Sequence, residues 1–193
     1  MLKERIKEFK KLLKFFEAEE IYRRYFFMNM FDGALTTLGI IMGAYFSGAY
    51  LKAIIGAAFG AGIAMGLSGF SGAYITEKAE KLKKLNELKK AMLTDLNNSI
   101  HEKSVELTAF VAAIIDGLSP VLAVTLSVTP FLLTLVNLIS VHEAFYFSLI
   151  IITGLLFAMG AFLGKISKES FILSGVKMML IGAAAAILIM LLI

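Results

Sequence analysis

The most regular feature of the sequence is a series of five long apolar stretches, separated by short turns or by segments rich in charge. The stretches cover residues 25–49, 53–75, 105–136, 144–163 and 171–193. Each has the roughly 20 residues that an α-helix needs to cross the hydrocarbon core of a bilayer. Because lipid offers no hydrogen-bond partner to an open backbone, such stretches must be helical. The pattern therefore predicts an all-α integral membrane protein with five transmembrane helices.

Two further segments combine charge with a helical pattern. In residues 1–24, apolar side chains recur every three or four positions between lysines, which predicts an amphipathic helix on the membrane surface. Residues 76–104 contain seven Lys and several acids without a long apolar run, so we expect a helical cytoplasmic segment. The chain thus divides into the surface helix, two spans within 25–75, the charged segment, and three spans within 105–193.

The lysines and arginines predict the orientation. The N-terminal segment, the charged segment and the loop after the fourth stretch hold 17 of the 19 basic residues. Short loops rich in Lys and Arg stay in the cytoplasm, so five spans with a cytoplasmic N-terminus fit the pattern. The stretch 105–136 contains Pro120 and Pro130 and could form a hairpin, but six spans would move Lys165 and Lys168 outside. We therefore predict one long third span.

Composition narrows the class of protein further. The chain is 59% hydrophobic and 18% charged, which leaves no room for a large soluble domain. It has no Cys, which excludes disulfides, thiolate metal sites and Cys nucleophiles. No nucleophile–base arrangement, Gly-rich phosphate loop or helical His-Glu-x-x-His motif is found, so nothing indicates an enzyme. The cytoplasmic position predicted for the Lys- and Arg-rich segments accounts for the excess of basic residues. Nucleic-acid binding is not needed to explain it.

The first span carries an acid, Asp32. Met28, Asn29 and Thr36 lie three or four residues from it and share its helix face. Carboxylate, amide and hydroxyl oxygens suit hard divalent cations, and a thioether adds a preference for softer ones. The same carboxylate can carry a proton, because ionisable groups in membrane helices commonly mark ion and proton pathways. In the structural alternative, Asp32 pairs with a nearby arginine or caps a kink beside Gly33.

A second acid, Asp116, lies near the middle of the third span and is followed by Gly117 and Pro120. Proline removes a backbone donor from a helix, and interrupted helices often line the ion site of transporters. Asp116 is therefore a candidate for proton coupling together with Asp32. A hydrogen bond or an ion pair within the helix bundle is the structural alternative.

Further acids occur in and just after the charged segment. Glu77 and Glu80 lie about one turn apart, and so do Glu102 and Glu106. These carboxylates could gather metal ions on the cytoplasmic face before transport. Because lysines are interleaved with them, a solvated helix with internal salt bridges is the alternative.

The second span is rich in glycine. Gly56 and Gly60 are four residues apart, as are Gly62 and Gly66, a spacing that lets membrane helices pack closely. We expect these pairs to serve helix packing, including packing across a homodimer, rather than phosphate binding.

Several short motifs follow one another along the five spans. The first two are Asp32-Gly-Ala-Leu-Thr-Thr in span one and Gly72-Ala-Tyr-Ile-Thr-Glu-Lys-Ala-Glu80 at the end of span two. The later ones are Gly117-Leu-Ser-Pro120, Gly160-Ala-Phe-Leu-Gly164-Lys165, and Ser174-Gly175 with Ile181-Gly182-Ala-Ala. In their order and spacing, these motifs resemble those of the vacuolar iron transporter family over nearly the whole chain.

The resemblance implies exchange of Fe(II) or Mn(II) for protons, by a dimer of five-helix protomers with a transport path near the dimer interface. It also implies that Asp32 is the membrane-embedded carboxylate for metal and proton. The family completes this site with a methionine from the second span, and alignment on Tyr74 places Gly69 at that position. Met65, one turn earlier, is the candidate to replace it.

We therefore expect a proton-coupled transporter of a divalent transition metal, iron or manganese, that exports the ion from the cytoplasm. The metal is cargo, and no bound cofactor is expected. The expected partners are membrane lipid, divalent metal ions, protons and a second copy of the chain, without nucleic acid. In a prokaryotic host the protein would lie in the plasma membrane. The alternative is a non-transporting scaffold or accessory subunit that keeps the fold but has lost the metal site, as Gly69 would allow.

Overall fold

The computed structural model describes residues 18–93 and 100–192 of the 193-residue chain. Its five long helices are α1 (Ala18–Phe46), α2 (Leu51–Met92), α3 (Ile100–Leu135), α4 (Val141–Ile166) and α5 (Phe171–Leu192). All five are long and apolar enough to cross a membrane, and the described residues contain no β-strand. The predicted all-α fold with five spans is confirmed, and the chain is an integral, multi-pass membrane protein.

Within the described residues, α1 begins at Ala18, before the predicted start of the first span at residue 25. The last residues of the predicted surface helix are therefore the first turns of α1 and continue directly into the span. Glu19 and Glu20 lie in the first turn, where the helix dipole favours acids. Residues 1–17, which hold most of the predicted amphipathic helix, lie outside the described residues.

The helix α2 is longer than a membrane span requires. Its 42 residues correspond to about 63 Å at 1.5 Å per residue, against a hydrocarbon core of about 30 Å. The apolar residues 53–75 form its first part, and the charged residues that follow continue the same helix to Met92. No Gly or Pro occurs after Gly72 in α2, so the backbone has no residue that would interrupt it. Residues 94–99 of the charged segment lie outside the described residues.

The helix α3 contains both prolines without a break. It runs from Ile100 to Leu135 through Pro120 and Pro130, so the stretch 105–136 forms one helix and not a hairpin. Membrane helices tolerate proline when neighbouring groups satisfy the freed backbone. Each proline lacks the N–H that would bond to the carbonyl oxygen four residues earlier, so the freed groups belong to Asp116 and Leu126.

The contacts within the chain divide it into two compact units. Unit 1 combines the start of α1, up to Phe26, with Leu67–Leu118 of α2 and α3. Unit 2 combines Phe27–Gly66 with the chain from Ser119 onwards. The apolar core of unit 2 includes the buried residues Leu38, Ile41, Ile54, Val128, Phe131, Ile152 and Leu156.

Glycines bring α4 and α5 of unit 2 into close contact. A Cβ atom at Gly160 would collide with the Ser174 carbonyl oxygen, and one at Gly164 would lie 2.7 Å from the Ser174 Cβ. Gly175 likewise leaves room for the ring of Phe157. Three of the motif residues in the last two spans therefore serve close helix packing.

Candidate ion and proton sites

Asp32 lies on an exposed face of α1 in unit 2. Met28 and Thr36, one turn before and after it, are exposed as well, whereas Asn29 is half-buried. The three exposed residues place a thioether, a carboxylate and a hydroxyl along about 12 Å of helix, at 1.5 Å per residue. Divalent transition metals take more ligands than one helix face supplies, so an ion bound beside Asp32 needs additional donors from outside this face.

Gly33, the next residue along α1, holds this helix against α3 within unit 2. A Cβ atom at Gly33 would lie 2.8 Å from the Pro120 Cα and 3.0 Å from the Ala123 Cβ. Thr37, one turn further on and fully buried, donates its hydroxyl to the Gly33 carbonyl oxygen at 2.7 Å. Because Gly33 and Thr37 belong to the buried face of α1, the adjacent Asp32 is left on the exposed one.

The second span offers no exposed thioether at positions 65 and 69. Met65 is half-buried and packs against the apolar core of unit 2. Gly69 belongs to unit 1 and contacts Asp116 instead.

Asp116 is 5% exposed and packs closely against α2 within unit 1. A Cβ atom at Gly69 would lie 3.0 Å from Oδ2 of Asp116 and 3.1 Å from its backbone oxygen. The space beside position 69 is therefore occupied by Asp116. The contact between these two residues could not be predicted from the sequence, because spacing along one helix says nothing about its register against another.

The four glutamates that were predicted to gather metal ions have different surroundings within unit 1. Glu77 is 5% exposed and accepts a hydrogen bond from the Tyr25 hydroxyl, with 3.0 Å between Oη and Oε1. Glu80 and Glu106 are exposed, and Glu102 is half-buried. Tyr25 was not singled out in the sequence as a functional residue.

Lys78 joins α2 to α3 beyond the apolar part of α2. Its ammonium group lies 3.1 Å from Oε1 of Glu106 and 5.5 Å from the ring centroid of Tyr74. Hydrogen bonds to the Glu106 carboxylate and to the Tyr74 hydroxyl raise the pKa of Lys78. This salt bridge joins two helices, whereas the alternative expected pairs within one solvated helix, and Glu106 remains open to solvent.

A polar cavity of about 500 Å³ lies between α1 and α2 in unit 1. Each acid of its lining is followed four residues later in the sequence by a base, namely Glu20 by Arg24, Glu77 by Lys81, and Glu80 by Lys84. Such spacing favours pairing along one helix, so the lining is balanced in charge. Throughout residues 18–93 and 100–192, no three His, Asp or Glu side chains are grouped so that they could hold a metal ion.

Comparison with known proteins identifies the family. The model of the VIT family matches residues 76–193, which include α3, α4 and α5. An uncharacterized protein of Methanocaldococcus jannaschii is 38% identical over 168 residues, which cover 86% of this chain and 85% of the relative. No solved structure matches the chain. The resemblance of the motifs to the vacuolar iron transporter family is confirmed, and the chain belongs to the VIT family.

Proposed function

We propose that this protein is a proton-coupled transporter of a divalent transition metal, iron or manganese, which it exports from the cytoplasm as a homodimer. Membership of the VIT family supports metal-ion transport across a membrane and fits the prediction that the chain is not an enzyme. The observation that carries the proposal is the exposed carboxylate of Asp32 within an apolar helix.

The position of Asp32 supports dimerisation through its own face of α1. A charged side chain in the hydrocarbon core costs about 2.5–3.5 kcal/mol on insertion scales. Covering Met28, Asp32 and Thr36 with the same face of a second copy takes these side chains out of lipid, and two-fold symmetry doubles the number of ligands. A cation held between the two copies then balances the charge of the two Asp32 carboxylates. Gly56 and Gly60, whose Cβ positions have nothing within 4 Å, support the close approach of another helix.

In this mechanism, deprotonated Asp32 binds the ion from the cytoplasmic side, and protonation from the far side releases it. Met28, Thr36 and the half-buried Asn29 supply further donors on the same helix. Glu80, Glu102 and Glu106 raise the concentration of cations at the cytoplasmic end, where the charge pattern places these residues. In a prokaryotic cell this function belongs to the plasma membrane. Glu77, which the sequence groups with these acids, is buried.

Metal flux into sealed proteoliposomes tests this function. Fe(II), Mn(II), Co(II) and Zn(II) are offered under an imposed pH gradient, and wild type is compared with Asp32→Asn. Glu19→Gln, which removes an exposed acid from the start of the same helix, is the matched control. We expect gradient-dependent flux that Asp32→Asn abolishes and Glu19→Gln retains. Equal flux in all three proteins would contradict the role of Asp32.

Cysteine crosslinking tests the dimer face, since the chain has no Cys of its own. Thr36→Cys places a thiol on the proposed interface, and Thr125→Cys places one on an exposed position of α3. A disulfide needs Cα atoms within about 7 Å, so only facing copies can form it. We expect crosslinked dimers from Thr36→Cys alone. Crosslinking at Thr125 and none at Thr36 would place the interface elsewhere.

A non-transporting scaffold of the same fold is the second candidate. The observation in its favour is Gly69, which stands where the resemblance to the family implies a methionine ligand. Folded protein that moves none of the four metals under any gradient would support the scaffold and exclude the transporter.

A further inference from the structure

The polar cavity of unit 1 lies where two apolar stretches end. Its lining includes Tyr25, the first residue of the apolar part of α1, and Thr76, which directly follows the apolar part of α2. At this level the Tyr25 hydroxyl joins the two helices by donating to Oε1 of Glu77 at 3.0 Å. The charge pattern places this end of the helices in the cytoplasm, and polar head groups begin where the hydrocarbon core of a bilayer ends. We therefore expect the cavity at the level of the cytoplasmic head groups.

Four exposed charged side chains of the lining form what we call the rim of the cavity. They are Glu20 and Arg24 on α1, and Glu80 and Lys84 on α2. The spacing within each helix favours pairing, but among the described residues no salt bridge joins Glu20 to Arg24 or Glu80 to Lys84. The rim therefore presents two carboxylates and two cationic groups to a ligand in the cavity.

The buried part of the lining adds no net charge to the rim. Glu77 is 5% exposed and Lys81 is 6% exposed, and their formal charges are opposite. A ligand in the cavity thus meets equal numbers of acids and bases. A neutral ligand with one negative and one positive group matches this lining better than a simple anion or cation, because each of its charges has partners and no net charge is added to the site.

We propose that this cavity binds the head group of a zwitterionic phospholipid from the cytoplasmic leaflet. The phosphate pairs with Arg24 and Lys84, and a primary ammonium group donates charge-assisted hydrogen bonds to Glu20 and Glu80. The cavity volume of about 500 Å³ lies within the range of small-ligand sites, about 300–1,000 Å³. The acyl chains then lie along the apolar parts of α1 and α2, which begin at the same level. A bound head group bridges the two helices and holds their polar ends at the membrane surface.

Native mass spectrometry of the full chain in detergent tests the site by measuring lipid binding. Dioleoyl phosphatidylethanolamine is compared with dioleoyl phosphatidylglycerol, which has the same acyl chains and phosphate but no ammonium group. We expect phosphatidylethanolamine to bind about two- to fivefold more tightly, as one additional exposed ion pair implies. Soluble phosphoethanolamine, which has both charged groups but no acyl chains, should bind more weakly than the lipid. No metal is added, so the result does not depend on metal transport.

Single substitutions at the rim separate this site from general surface charge. Glu20→Gln removes a partner of the ammonium group and should abolish the preference for phosphatidylethanolamine. Lys84→Gln removes a partner of the phosphate and should weaken the binding of both lipids. Glu19→Gln and Lys83→Gln are the matched controls, because these exposed neighbours lie outside the lining and their substitution changes the net charge equally. Both controls should bind the lipids as wild type does.

Three results would overturn the proposal. Equal binding of the two phospholipids by the wild-type protein would exclude recognition of the ammonium group. Equal changes in the rim variants and in their matched controls would show an effect of overall charge and no site in the cavity. Soluble phosphoethanolamine that binds as tightly as the lipid would exclude the membrane as the source of the ligand.

Discussion

The Cβ position of Gly69 lies 3.0 Å from Oδ2 of Asp116 and 3.1 Å from the backbone oxygen of the same residue. Two helices of unit 1 thus meet where one has no side chain and the other has a buried carboxylate. A larger residue at position 69 must displace this carboxylate or push the helices apart. Gly69 therefore has a packing role of its own, because Asp116 occupies the space that a side chain at position 69 would fill.

Enlarging position 69 should strain this contact. Gly69→Leu is expected to lower the free energy of unfolding by about 1–3 kcal/mol, the usual cost of overpacking. Gly72→Leu is the control, since nothing lies within 4 Å of the Gly72 Cβ position, and it should be close to neutral. Thermal unfolding in detergent measures both variants. Adding Asp116→Ala to Gly69→Leu should recover part of the loss, and no recovery would show that the strain lies elsewhere.

The contact between Gly33 and Pro120 should be equally intolerant of a side chain. The nearest atom to the Gly33 Cβ position is the Pro120 Cα at 2.8 Å, and backbone cannot rotate away as a side chain can. Gly33→Ala should therefore destabilise the protein by about 1–3 kcal/mol. Gly43→Ala, in the same helix with nothing within 4 Å, should instead stabilise it by up to about 1 kcal/mol. Equal unfolding temperatures for the two variants would contradict this packing.

Gly56 and Gly60 should matter to the dimer and not to the protomer. Both are exposed, and their Cβ positions have nothing within 4 Å. The double variant Gly56→Leu/Gly60→Leu should leave the circular dichroism spectrum unchanged and reduce the dimer fraction in light scattering of detergent-solubilised protein. Gly62→Leu is the contrasting variant, because a Cβ at Gly62 would lie 3.2 Å from the Val124 side chain within unit 2. A full dimer fraction in the double variant would exclude these glycines from the interface.

The end of α1 and the start of α4 are joined by a polar and an aromatic contact in unit 2. Tyr45 hydrogen bonds through its hydroxyl to Nδ1 of His142, and its ring stacks on Phe145 with the centroids 3.9 Å apart. Tyr45→Phe keeps the stacking and should cost about 1 kcal/mol for the lost hydrogen bond. Tyr45→Leu also removes the stacking and should cost about 0.5–1.5 kcal/mol more. Identical losses in urea unfolding would show that the ring contact contributes nothing.

The helices could be predicted from sequence because the bilayer limits what an apolar stretch can form. Apolar length alone gave the five spans, and the distribution of Lys and Arg favoured one long third helix over a hairpin, as found in α3. The ends of the helices were less predictable, since charged residues change the environment of a helix but do not end it. Residues Glu19 to Arg24 are helical, and α2 continues to Met92, because neither segment contains a residue that breaks a helix.

The surroundings of the site residues could be predicted less well than their identity. Periodicity grouped Met28, Asp32 and Thr36 on one face, and the structure leaves all three exposed. Periodicity could not show that Glu77 is buried against Tyr25, because that contact joins residues 52 positions apart on different helices. A tyrosine at the edge of a span is common at membrane interfaces, so its sequence position carried no specific signal for this contact.

The close packing of α4 and α5 has a consequence for how the protein is made. The buried residues of α5 are Gly175 and Gly182, which make room for the side chains of Phe157 and Leu156 on α4. Only residues 167–170 separate the two helices, and a local pair of this kind forms early because little chain must be ordered to bring it together. The last span can therefore enter the bilayer as a hairpin with α4 during translation. Assembly of this end of the chain then requires no search for a distant partner.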